Sequence, residues 1–218
     1  MTIAAAISGR WRQWRRGGVA PPARWVVLDT ETSGLDPARD KLLSIGAVAV
    51  DAQGIRLRDS FEVVLRNDDA GTRDNIVVHG IGYGAQREGV PAAAALEALV
   101  AYLDAAPCVG FHCAFDQAVL ARAAREAGVA MPVVPWLDVA MLASALEPGR
   151  QRAGARSLDD WLAAFDITMA ARHNAAADAL VTAELLLRLR ARAEAEAQFD
   201  HAALVRVSRQ HRWLAAGG

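Results

Sequence analysis

Cysteine is nearly absent from this chain: Cys108 and Cys113 are the only two in 218 residues. Two thiols cannot build a disulfide framework, and their spacing matches neither a zinc pair nor a redox pair. The expectation is a reducing compartment, and with it a cytoplasmic protein. Long apolar runs are missing too. Asp104, His112, Asp116, Glu126 and Asp138 break up the most apolar stretch, so no membrane span of roughly 18–20 uninterrupted residues is expected. Nor does one sign of charge prevail, the formal net charge being −1. That balance hides an asymmetry. Arg10, Arg12, Arg15, Arg16 and Arg24 give residues 1–24 a charge of +5 with no acid, leaving −6 for residues 25–218. A body of that sign does not hold duplex phosphates over a broad basic face. Contact with nucleic acid would have to be short, local or metal-assisted.

With 53% hydrophobic and 22% charged residues in 23.2 kDa, the chain has material for one core plus flanking segments. Residues 1–24 read as a basic N-terminal arm, set off by Gly17-Gly18 and Pro21-Pro22. Its Arg–Trp alternation around Trp11 and Trp14 suits a membrane surface or nucleic acid, or simply a loose extension. Residues 25–195 form the globular domain. Residues 196–218 read as a C-terminal helical tail, with amphipathic spacing at Leu204, Val207 and Trp213 that suits a protein partner or the body itself.

Within the domain, Trp25-Val26-Val27-Leu28 is a buried strand running into a polar loop, Asp-Thr-Glu-Thr-Ser-Gly. Leu42 to Val50 and Ile55 to Leu65 are two further strands joined by a turn at Asp51-Ala52-Gln53-Gly54. Helical spacing follows Pro91, at Leu96, Leu99, Val100 and Leu103. Pro107 to Phe111 is a fourth strand, feeding a helix that stops near Gly128. A fifth strand is expected near Val133 to Leu137, then short helices at 138–146 and 158–165 and a long one from about Ala175 to Ala195. Strands first and then strands alternating with helices predict an α/β fold. Its mixed five-stranded sheet combines an antiparallel meander with later parallel strands, flanked by helices.

Three clusters carry chemistry. Asp29 and Glu31 stand one residue apart, so on a strand they point the same way, and neighbouring buried carboxylates call for a cation between them. Asp116 lies near a strand-to-helix junction, where α/β sheets place their sites, although an acid there also suits the helix dipole. His173 and Asp178 are five apart, about 140° around a continuous helix and unable to share a site. If Asn174 instead caps the helix, His173 falls in the preceding loop and the two can converge. The run Ala175-Ala176-Ala177 signals a close approach by something. Oxygen-only ligands select hard cations such as Mg²⁺ or Mn²⁺, and two such ions clamp a phosphodiester for in-line displacement. Imidazole is suited to taking the proton of the attacking water.

Asp29-x-Glu31, Phe111-His112-x-x-Phe115-Asp116 and His173-x-x-x-x-Asp178, in this order, resemble the three motifs of the DEDDh 3′–5′ exonucleases, the family of the proofreading epsilon subunit of bacterial DNA polymerase III. The resemblance covers residues 25–195. It implies a ribonuclease H-like fold, with Asp29, Glu31, Asp116 and Asp178 as ligands of two Mg²⁺ or Mn²⁺ ions and His173 as general base. It also implies substrate contacts from Thr30, Thr32, Gly34, Leu35, His112 and Phe115. His79, in His79-Gly80-Ile81, is assigned either to the terminal nucleotide or to a structural turn. Cys113 departs from the pattern, since many relatives have Asn there. The segment with Arg150, Arg152 and Arg156 is either a mobile lip touching phosphates or a solvated loop.

The activity expected from the resemblance is hydrolysis from the 3′ end of single-stranded or frayed nucleic acid, DNA ahead of RNA, releasing nucleoside 5′-monophosphates in proofreading or repair. A polymerase or other protein is the expected partner at the termini. The rival readings are an RNA 3′–5′ exonuclease of the same fold and a non-catalytic polymerase-associated protein; the latter's expected mark, a damaged ligand set, is not seen.

Overall fold

A computed structural model describes residues 24–67, 83–168 and 173–194. The expected tail at 196–218, the arm before Arg24 and His79 lie outside these residues.

Five strands form one sheet: β1 (Trp25–Thr32), β2 (Leu42–Asp51), β3 (Gly54–Val64), β4 (Cys108–Gly110) and β5 (Trp136–Asp138). Their order across the sheet is β3-β2-β1-β4-β5. The first three pair antiparallel, whereas β1–β4 and β4–β5 are parallel, as the sequence predicts. β1 is longer than expected and takes in Asp29, Thr30 and Glu31, which the sequence placed in the loop. Pairing with β2 continues through Glu31↔Ser44, so backbone hydrogen bonding carries the polar residues onward as strand.

Seven described helices flank the sheet: α1 (Tyr83–Glu88), α2 (Ala92–Leu103), α3 (Ala114–Ala127), α4 (Val139–Leu146), α5 (Pro148–Arg152), α6 (Leu158–Ala164) and α7 (Ala175–Glu194). The sequence missed α1 and α5; each is a turn or two of helix, too short for an apolar period to show. No described helix is long and apolar enough to cross a membrane.

Alternation along β1 sorts the core into two halves. Trp25 and Val27 pack with Val181, Leu185, Leu186 and Leu189 of α7 and with Leu142 and Trp161 of α4 and α6. Val26 and Leu28 point the other way, into Leu96 and Leu99 of α2 and Val119 and Leu120 of α3. With both faces covered, β1 is a continuous apolar run rather than an alternating one. Each fully buried Leu contributes roughly 1.5–3 kcal/mol. Because β1, β4 and β5 are parallel, their carboxyl ends share one edge of the sheet, and there the polar residues collect.

Candidate active site

The same alternation decides where the acids go. Asp29 and Glu31 continue the odd-numbered series of Trp25 and Val27 and so face α7. One oxygen each of Asp29, Glu31 and Asp178 lie within 4.8 Å of one another. Glu31 and Asp178 are each only 6% exposed. Three carboxylates this close, two of them buried and Asp29 half-buried, repel one another unless a cation sits among them. The donor set is oxygen only, which fits a hard divalent ion and not a thiolate- or imidazole-seeking one.

Asp178 reaches this spot because α7 starts where it does. Asn174 caps the helix, its side-chain oxygen accepting from the Ala177 amide at 3.0 Å, while the Asp178 amide donates to the Asn174 carbonyl at 2.8 Å. Asp178 is thereby in the first turn and His173 in the preceding loop, the arrangement the sequence required for convergence. The alanines after the cap lie against Gly46 of β2, the strand partner of Asp29. A Cβ on Gly46 would fall 2.1 Å from the Ala176 amide nitrogen and 2.2 Å from the Ala175 carbonyl carbon. Gly46 is a position beside the carboxylates that sequence reasoning missed. Its one signal was the unexplained alanine run across the sheet.

Asp116 is supplied by α3, a helix that packs on the other half of the core. It is buried in the first turn of that helix and is joined to β1 by Thr30, whose hydroxyl donates to its Oδ1 at 2.7 Å. Burial pushes its carboxyl up to about 7; the Thr30 hydrogen bond opposes this, and nearby Asp138 adds to it. Asp138, another residue the sequence did not single out, ends β5. Its Oδ1 accepts from the amides of His112, Ala140 and Met141 at 3.2, 3.0 and 3.3 Å.

His112 and His173 both have left-handed backbones, with φ of 52° and 61°. Such strain in a non-glycine residue persists only where surrounding structure over-determines it. Each sits just before a helix that carries an acid, α3 with Asp116 and α7 with Asp178. Both side chains are exposed. The His112 ring packs edge-on against Phe111, centroids 4.7 Å apart.

The other expected substrate contacts divide. Leu35 is 92% exposed, at the tip of a turn that Asp40 organises by accepting from the Asp36 amide and Ser33 hydroxyl. Gly34 lies beside Asp40, which a Cβ would meet at 2.5 Å. Arg122 of α3 fastens the turn by donating to the carbonyls of Pro37 and Asp40. Thr32 is buried and donates to the Gly34 carbonyl at 2.6 Å, and Phe115 is half-buried against the α2–α3 core. Cys113 is 4% exposed and tucked against Gly110, so the departure from Asn falls on an inward-facing position. Burial pushes its thiol up to about 12. Of the arginines in the expected lip, Arg150 is held: it lies over the Phe165 ring, pairs with Glu147 at 3.5 Å and donates to the Ala164 carbonyl. Arg156 donates to the carbonyls of Gln151 and Ala155.

A mixed five-stranded sheet of this order, flanked by helices and with carboxylates converging at the carboxyl ends of its strands, defines the ribonuclease H-like fold of exonucleases. The exonuclease family RNase_T matches residues 26–186. The chain belongs to this family, as a DEDDh-type exonuclease related to the proofreading subunit of polymerase III, and is a nuclease hydrolase. It is 28% identical to a PolC-type DNA polymerase III of Thermotoga maritima over 166 residues. That match takes in 76% of this chain and 12% of the polymerase, so the chain spans about an eighth of that relative's length. Among solved structures, exonuclease I superposes with a TM-score of 0.69 at 18% identity, over 80% of this chain and 42% of that one. Exonuclease X, in complex with 5′-overhanging duplex DNA, gives 0.66 at 17% identity, over 84% and 99%.

Proposed function

We propose that this chain is a 3′–5′ exonuclease that removes nucleoside 5′-monophosphates from single-stranded or frayed DNA ends. The observation that carries the reading is the convergence of Asp29, Glu31 and Asp178 to within 4.8 Å across 149 residues of sequence. Those three residues, with Asp116 from the first turn of α3, would hold two Mg²⁺ or Mn²⁺ ions. Such ions, when bound, offset phosphate charge and make water a nucleophile at neutral pH. The residues of this chain do the rest. His173, exposed on its strained turn, takes the proton from the attacking water at an imidazole nitrogen. Leu35 offers an apolar face to the terminal base from a turn too braced to yield, and His112 borders the site from the α3 junction.

A short grip suits the acidic body, because carboxylate-held cations supply the positive charge that duplex-binding proteins draw from arginine and lysine. DNA as substrate is supported by the relatives: exonuclease X is seen with overhanging duplex DNA, and exonuclease I of E. coli with a dA16 oligonucleotide. A cytoplasmic setting, a proofreading or repair role and a polymerase partner bound through the termini belong to the same reading. The test is product analysis on matched 3′- and 5′-labelled DNA and RNA strands, with Mg²⁺, with Mn²⁺ and with excess EDTA. The expected result is stepwise loss from the DNA 3′ end that stops in EDTA. Hydrolysis undiminished by EDTA overturns the mechanism, and faster loss from RNA transfers the assignment to the RNA enzyme.

A further inference from the structure

We propose that Thr30 is a positioning residue for Asp116, its hydroxyl fixing the carboxylate of α3 against the strand step between Asp29 and Glu31. The inference rests on reading Asp116 as a metal ligand and deepens that reading. Resemblance assigned Thr30 to substrate, but the geometry gives it another task. Thr30 is 8% exposed and points to the face opposite Asp29 and Glu31, where Oγ1 lies 2.7 Å from Asp116 Oδ1. Its hydroxyl is the one side-chain hydrogen-bond donor to Asp116 among the described residues.

The two residues are 86 apart in sequence and belong to elements, β1 and α3, whose apolar side chains share the α2–α3 half of the core. An α3 helix that slid or turned slightly would keep its apolar contacts yet carry the carboxylate away from the other three acids. The hydrogen bond removes that freedom. It ties Asp116 to the very residue whose backbone holds Asp29 on one side and Glu31 on the other. A β-branched side chain serves well here, because its χ1 is stiff and the hydroxyl keeps one direction from the strand. Partners of this kind, which orient a ligand without touching the ion, typically cost 10–100-fold in metal affinity when removed.

The experiment is calorimetric titration of Mn²⁺ into the substrate-free protein, alongside kcat and KM for a single-stranded DNA oligonucleotide. Thr30→Val keeps the shape and the branch but not the hydroxyl; it is expected to weaken Mn²⁺ binding about 10-fold and to lower kcat while KM moves less than twofold. Thr30→Ser restores the hydroxyl and recovers most of the binding. In an Asp116→Asn background, Thr30→Val adds no further loss of Mn²⁺ affinity. If Thr30→Val does not fold, Thr30→Ala enters the same titration. Equal Mn²⁺ binding by Thr30→Val and the unsubstituted protein overturns the inference alone, as does a raised KM with unchanged Mn²⁺ binding, the pattern of direct substrate contact. An unsubstituted protein that takes up no Mn²⁺ overturns the ligand reading and this inference with it.

Discussion

Asparagine in place of Asp116 is expected to stabilise the metal-free protein above neutral pH while abolishing hydrolysis. Asp116 is 5% exposed, and burial raises its carboxyl from 3.8 to about 7. The folded protein thus binds this proton more tightly than the unfolded chain, whose carboxyl titrates near its ordinary value. Stability is full below about pH 4 and falls as pH climbs through about 7, because between those values the native state holds the proton and the unfolded state has lost it. A gap of about 3 pH units corresponds to about 4 kcal/mol. That figure is an upper bound, since water entering the cleft lowers the penalty on the charge. A neutral carboxamide escapes the penalty, and its carbonyl still accepts from Thr30. Urea unfolding in EDTA at pH 4, 6, 7 and 8.5 measures the difference between D116N and the unsubstituted protein. It is expected to be near zero at pH 4 and to grow to a few kcal/mol at pH 8.5. A difference independent of pH, or a D116N protein less stable at pH 8.5, would refute the reasoning.

Gly46→Ala brings a methyl into the backbone at Ala175 and Ala176 and is expected to cost at least about 1–3 kcal/mol; it also shifts α7, so kcat falls with the melting temperature. Unchanged kcat would mean that α7 is not placed by Gly46. Asn174→Ala removes the cap on α7 and is expected to lower stability by about 1 kcal/mol and to weaken Mn²⁺ binding through Asp178; calorimetry and urea unfolding read both. Cys108 and Cys113, with thiols pushed up to about 12 by burial, are expected to resist Ellman's reagent at pH 8 until urea exposes them. Rapid labelling of the native protein would contradict their burial.

Much of the fold was legible in advance because burial on both faces leaves a mark on composition. Val26, Val27 and Leu28 announce a central strand without any partner in view, and the leucines of α2 announce a helix by spacing alone. The helix cap was legible too, because Asn174 acts over three residues. The motif acids could be picked out as a set, since hydrolysis of a phosphodiester demands that chemistry wherever the chain supplies it.

Tertiary structure decided the rest. Nothing near Thr30 in sequence shows that its hydroxyl donates to Asp116, because that meeting depends on how α3 packs beside β1. Gly46 looks like an ordinary strand glycine until α7 is laid against it. Asp138 matters only once β5 lies beside β4 and delivers its carboxylate to the His112 amide. Local sequence records what a residue needs from neighbours a few positions away, because propensity, capping and periodicity act over that range. Which side chain meets a carboxylate 86 residues distant depends on sheet order, register and helix contact together, and those arise only when the whole core packs.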